Sequence, residues 1–178
     1  PVAGEIKLGN RDLSSYSVRE WRRNCGVVMQ EGFIFSDTIR NNIGVSEEDI
    51  DNKRVAYAAQ QACIDDFIES LPMGYNTRIG ADGHGLSSGQ KQRLLIARAI
   101  YKDAKYIFLD EATNSLDANN EKSIMNNLGT FFENKTVVVV AHRLSTIRNA
   151  DNIIVLANGS IIEQGSHDKL ISARGAYY

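Results

Sequence analysis

Tyr106-Ile107-Phe108-Leu109-Asp110-Glu111 is a run of four apolar residues closed by two carboxylates. A short, uninterrupted apolar run of this length reads as a strand buried on both faces, the kind found in parallel sheets. Parallel strands need a crossover, and a second run of the same type, Val137-Val138-Val139-Val140, follows after a helical pattern from Asn120 to Phe132 with Ile124, Leu128 and Phe131 on one side. Strand, helix, strand predicts an α/β fold with helices on both faces of a parallel sheet. In such sheets ligands gather at the carboxyl ends of the strands. Asp110, Glu111 and His142 fall at those ends.

Upstream, the small-residue stretch Leu86 to Gly89 opens a helix from Gln90 to Tyr101. Apolar residues recur at helical spacing from Lys53 to Leu71, which predicts one helix stopped by Pro72-Met73-Gly74. Gly26 to Met29 is an apolar strand ending at Gln30, preceded by a short basic helix, Val18 to Asn24, and followed by a helical turn from Thr38 to Ile43. Glu5 to Leu8 alternates like an edge strand before a turn at Gly9-Asn10. Downstream, Ile153–Leu156 and Ile161–Glu163 flank Asn158-Gly159, the strongest short hairpin signal.

The 178 residues are enough for one compact domain with its own core. Twenty Lys and Arg against 22 Asp and Glu leave a net charge of −2, so no global positive field attracts nucleic acid. No apolar stretch approaches the 18 or so residues of a membrane span. The N-terminus lacks the basic and apolar regions of a signal peptide. Cys25 and Cys63 form no metal spacing and read as free thiols of the core.

Four features carry chemistry, each with a bland counterpart. A carboxylate ending a strand, Asp110, can hold Mg²⁺ beside phosphate, and its neighbour Glu111 can take a proton from water. Taken alone, a solvated acidic strand end is the commoner explanation. Ser87, Ser88, Gly89 and Gln90 at a helix start offer free N–H groups to an anion, although Ser87 could simply be an N-cap. His142 and Gln30 are polar residues where apolar strands stop, and single residues of that kind are usually just exposed. The combination, in one chain and in one order, is what counts.

Together these residues resemble the ATP-binding cassette (ABC) family over essentially the whole chain. Gln30 matches the family's Q-loop, Leu86 to Gln90 its signature, and Ile107 to Glu111 its Walker B strand with catalytic glutamate. Ser115-Leu116-Asp117 matches the D-loop and His142 the switch histidine. Phe33-Ile34-Phe35, Thr38 to Ile43 and Ala141 to Thr146 resemble exporter-type transporters. Asp82 to Leu86 and Asp117 to Glu121 are similar to bacterial exporters of peptides or bacteriocins, which often carry a cysteine-peptidase domain upstream.

The resemblance implies a P-loop NTPase-like, mostly parallel sheet with a helical signature subdomain at about 31–100. The Walker B, D-loop and switch-histidine core would follow at 101–178, the whole forming a partial nucleotide-binding domain at 1–178. It implies ATP and Mg²⁺ as cofactors, and as partners a second nucleotide-binding domain, in a homo- or heterodimer, and a transmembrane domain. The expected location is the cytoplasmic face of the inner membrane. Glu111 would polarise water and His142 contact the γ-phosphate. Asp110 would hold Mg²⁺ and Gln30 sense it. Ser87, Ser88, Gly89 and Gln90 would meet the nucleotide of the partner domain, with Asp117 lining the seam.

Two departures accompany the match. Ser88 stands where the signature usually has Gly, and Ala81 near where many exporters place a glutamate. Gly-x-x-x-x-Gly-Lys-Ser/Thr does not occur. The chain is therefore expected to be a C-terminal portion of a cassette, truncated of the phosphate-loop strand and helix and inactive alone. A catalytically silent dimerisation or regulatory cassette is disfavoured by Glu111 and His142. A non-transport ABC ATPase is disfavoured by the charge and the compact spacing.

Overall fold

The computed structural model describes residues 3–45, 47–81, 83–113, 116, 118–141 and 143–178, with backbone alone for 118–122, 144 and 145. Two compact units, Pro1–Val138 and Val139–Tyr178, divide the chain.

The first unit opens with a two-residue antiparallel pair, β1 (Lys7–Leu8) and β2 (Arg11–Asp12), joined through Gly9 at φ +61. Helix α1 (Val18–Arg23) is capped by Ser17 and leads into strand β3 (Cys25–Val28). The next segment carries β4 (Asp37–Thr38) and α2 (Ile39–Ile43), whose N-cap Thr38 accepts from the Asn41 amide. Two further helices follow, α3 (Asn52–Gln61), capped by Asp51, and α4 (Asp65–Ser70). Strand β5 (Arg78–Ile79) pairs antiparallel with β4. The long helix α5 (Ser88–Lys102) comes next, then β6 (Tyr106–Asp110), α6 (Ala118–Phe132) and β7 (Thr136–Val140).

The central sheet runs β3-β6-β7. The β3–β6 pair is parallel, with Cys25 opposite Tyr106 and Val28 opposite Leu109. A Cβ on Gly26 would come within 2.8 Å of the Ile107 Cδ1, so only glycine lets β3 sit this close to its neighbour's side chain. The apolar core lies where α2, α3 and α5 pack together, with Ile39, Ile43, Val55, Ala58, Leu94 and Ile96 all buried.

Three expectations are corrected. The predicted helix from Lys53 to Leu71 is two helices. The chain turns at Cys63, which takes φ +53. The Cys63 amide donates to the Gln60 carbonyl and the Ile64 amide to Ala59, a Schellman closure with cysteine in the place glycine usually fills. Helical spacing continues through this break because the apolar residues on both sides face one core. The strands are also not buried on both faces. In β6, Ile107 and Leu109 are buried while Tyr106 and Phe108 are half-buried, one tilted and the other edge-on against the Trp21 ring at 5.1 and 6.5 Å. Along β7 burial alternates, and Val138 and Val140 are about half exposed. A run of valines looks the same to a periodicity reading whether one face or two are covered. Of the two cysteines, Cys25 is core and Cys63 only half-buried.

In the second unit, α7 (Leu144–Ile147) precedes the hairpin of β8 (Ile153–Ala157) and β9 (Ser160–Gly165). Asn158 and Gly159 sit at φ +49 and +75, the two left-handed residues of a type I′ turn. Helix α8 (His167–Ala173) follows, and the Glu163 carboxylate accepts the amides of Ala176 and Tyr177 and pins the last residues to β9. Among the described residues no helix is long and apolar enough to cross a membrane.

Candidate functional site

The parallel register decides what meets at the sheet edge. Val28 is opposite Leu109, so Met29-Gln30 and Asp110-Glu111 leave the sheet side by side on adjacent strands. Neighbouring strands lie about 5 Å apart, which brings the Gln30 carboxamide and the two carboxylates to one rim. Gln30 and Asp110 are exposed, and Glu111 is half-buried. Glu111 takes φ +47, a left-handed backbone that costs a side-chain-bearing residue roughly 1 kcal/mol or more. Strain of this sort tends to persist where a side chain is being aimed.

Ser87, Ser88, Gly89 and Gln90 open α5. The Ser87 hydroxyl accepts from the Gln90 amide at 3.2 Å, and the Gln90 side-chain oxygen accepts from the Ser87 amide at 2.9 Å. This is the reciprocal capping box, so the bland N-cap reading of Ser87 is physically realised. It leaves the amides of Ser88 and Gly89 with no acceptor among the described residues, at the positive end of a 15-residue helix dipole. Ser88 is not left-handed, so serine in this place strains nothing. A closed helix that still presents two amides can bind an anion without rearranging.

Asp117 and His142 lie outside the described residues, as do Ser115 and Asp82. Oxygen donors of the type Asp110 and Gln30 supply suit a hard divalent cation that keeps most of its waters, so the residues present fit Mg²⁺.

Other polar residues that tie this region together are hard to see in sequence. Asn42 is fully buried in α2, accepting from the Phe35 amide at 2.9 Å and donating to the carbonyls of Phe35 and Thr38. Arg98 of α5 donates to the Asn42 and Phe33 carbonyls at 2.7 and 2.9 Å and to the Asn42 side-chain oxygen at 3.1 Å. Burial pulls the Arg98 pKa below its usual value. An asparagine inside an apolar helical turn and an arginine on the inward face of a helix were the available signals. Lys91, Gln92 and Arg93, in the first turns of α5, are not exposed. Gln92 is buried, its Nε2 without a hydrogen-bond partner among the described residues, and Arg93 donates to the Cys63 carbonyl at the end of α3.

The family model for "ABC transporter" matches residues 1–114. The chain is 45% identical over 99% of its length to the ATP-dependent lipid A-core flippase of Syntrophus aciditrophicus, covering 30% of that protein. It is 46% identical over 99% of its length to ABC transporter B family member 13 of Arabidopsis thaliana, covering 14% of it. Against the leukotoxin translocation ATP-binding protein LktB of a Pasteurella haemolytica-like species it is 42% identical over its full length, covering 25% of that protein. Among solved structures, a bacterial Atm1-family ABC exporter with ATP bound matches 98% of the chain at 38% identity with a TM-score of 0.93, and the chain covers 31% of it. The chain thus spans less than a third of the length of each of these relatives. Its parallel sheet edge, its capped α5 and a match that runs through both agree, and the chain belongs to the ABC transporter family.

Proposed function

We propose that the chain is the C-terminal portion of the nucleotide-binding domain of an exporter, a motor that hydrolyses ATP at the cytoplasmic face of the membrane. The carrying observation is that Gln30 and Asp110-Glu111 end adjacent parallel strands, while the same chain presents on a separate helix the Ser88 and Gly89 amides, which have no acceptor among the described residues. That division suits a nucleotide held between two copies, or two related domains, each giving one half of the pocket. On this reading residues 31–100 form the helical signature part and 101–178 the core.

Asp110 and Gln30 would hold Mg²⁺, which neutralises phosphate charge when bound. Glu111 accepts a hydrogen bond from the attacking water and so aims it, and His142 contacts the γ-phosphate. The amides of Ser88 and Gly89 and the Ser87 hydroxyl receive the γ-phosphate of the opposite nucleotide, with Gln90 fixing the serine and Asp117 along the seam. None of this needs covalent chemistry, because phosphoryl transfer is accelerated chiefly by positioning and charge stabilisation. The β- and γ-phosphates also need a nest of backbone amides and a lysine, and the 178 residues contain no such motif. The chain by itself is therefore inactive, and the full-length protein that carries it supplies the phosphate loop and the transmembrane partner. The motifs around the signature and D-loop favour peptide or bacteriocin cargo, and with it an upstream cysteine-peptidase domain.

The test compares ATP turnover of the full-length protein with that of its Glu111→Gln variant. Wild type should hydrolyse ATP, and the variant should bind it while turning over about a hundredfold or more slower. Steady-state turnover by the 178-residue chain alone, or an unimpaired variant, would overturn the reading.

A further inference from the structure

The segment that leaves the sheet at Gln30 does not hang free. Gly32 lies so close to the Leu95 side chain of α5 that a Cβ there would collide with it. The Phe33 carbonyl accepts from Arg98 of α5, and the Arg98 guanidinium stands 5.3 Å from the centre of the Phe35 ring. Buried Asn42 holds the Phe35 amide and carbonyl and takes a bond from Arg98 as well. Two residues on, Asp37 and Thr38 pair with Ile79 and Arg78, and Gly80 lies 2.9 Å, measured from an ideal Cβ, from the Phe35 carbonyl oxygen. These ties end on α5, on Asn42 of α2, and on β5 with the glycine that follows it.

We infer that Arg98 is a positioning residue that couples the Gln30 segment to the Ser87–Gln90 end of α5 through Asn42, so that a displacement at Phe33–Phe35 is delivered to the Ser88 and Gly89 amides. The geometry favours stiff transmission. Arg98 makes three bonds to two separate stretches from a planar fork, which a lysine cannot reproduce with one ammonium. From Arg98 to Ser88 the path is ten residues of unbroken helix with a buried apolar face. Phe33 and Phe35 are exposed and meet edge-on at 5.1 Å, so the segment presents a firm aromatic knob on which an external push can act. The inference rests on the proposed reading of Ser87–Gln90 as half of a nucleotide pocket, because only then does their position control a rate.

The experiment uses the full-length protein and its Arg98→Lys variant, with Arg98→Gln as a second variant should the first fold poorly. Turnover is measured per bound nucleotide, so that a misfolded fraction does not count. It should fall about tenfold with KM for ATP changed less than threefold, because misplacing a positioned group by about an ångström is felt in the rate. Hydrogen–deuterium exchange should rise at 33–38 and 86–91 but not in α3. Unchanged turnover per bound nucleotide, or exchange that rises evenly across the domain, would sink the coupling. If wild type itself does not hydrolyse ATP, the parent reading fails, and the exchange pattern still decides whether Arg98 links the two segments.

Discussion

The phenolic hydroxyl of Tyr101 donates to Oε2 of Glu47, 54 residues earlier in the chain, at 2.5 Å. The Tyr101 hydroxyl oxygen in turn accepts from the Asp51 amide at 3.1 Å. Arg54 completes the knot, donating to Glu47 Oε1 at 2.9 Å and to the Tyr101 carbonyl at 2.6 Å, with its guanidinium 4.4 Å from the centre of the Tyr101 ring. The loop between α2 and α3 is thereby fastened to the last turn of α5, just ahead of the strand that carries Asp110.

Replacing Tyr101 by phenylalanine keeps the buried ring and removes only the oxygen. Glu47 loses a charge-assisted bond and the Asp51 amide loses its acceptor, which should cost about 1–2 kcal/mol. The thermal midpoint should drop by a few degrees, as expected for about that loss in a domain of this size.

Glu47 also sets an acid sensitivity. The Tyr101 hydroxyl, and after it Arg54, hold its carboxyl below the ordinary value of 4.5. A depressed folded-state value means that the contribution is complete above pH 4.5 and is lost as pH falls through the folded value. Glu47→Gln should be less stable than wild type at neutral pH, and the gap should close below pH 4.5 in urea titrations. A gap that stays constant with pH would show that the carboxylate charge is not what Tyr101 and Arg54 stabilise.

Cys63→Gly should stabilise the chain. At φ +53 the cysteine pays about 1 kcal/mol that glycine avoids, and its Sγ gives up only a weak 3.5 Å contact from Asn127. A rise of about 0.5 kcal/mol in unfolding free energy is expected from denaturant midpoints.

Gly80→Ala should do the opposite. Gly80 has φ +97, and a Cβ there would press on the backbone of Phe35 and Ser36, which cannot move aside as a side-chain end can. A loss of roughly 2 kcal/mol or more is expected, from strain and collision together. The measurement is again the denaturant midpoint, with Gly85→Ala as the control, since a Cβ at Gly85 meets nothing within 4 Å.

What could be read from sequence was short-range. The Asn158-Gly159 turn, the Thr38 cap and the helix opened at Ser87 depend on residues within four positions of one another, and each lies where the residue types put it. The strands at 26–29 and 106–109 were legible as apolar runs ending in polar residues, but nothing in either run says that they are neighbours in the sheet. Arg98 reaches back 56 residues to Asn42 and 65 to Phe33, and two of its three bonds there end on backbone carbonyls, which no residue type announces. The Cys63 break hid for a different reason: glycine or asparagine normally marks a left-handed helix end, and cysteine carries no such signal. At the site, the shared rim follows from the parallel register, and Ser87 with Gln90 three residues on is the sequence signature of the capping box that closes α5.

The reciprocal Ser87–Gln90 box has a consequence for how fast this surface can be used. A loop that had to order itself around each arriving phosphate would spend part of every encounter on folding. On the proposed reading, the helix end is closed by its own side chains, so docking costs little conformational entropy and the wait is for the partner to arrive. Removing the box, by Gln90→Ala for instance, would move that waiting time from diffusion to local ordering.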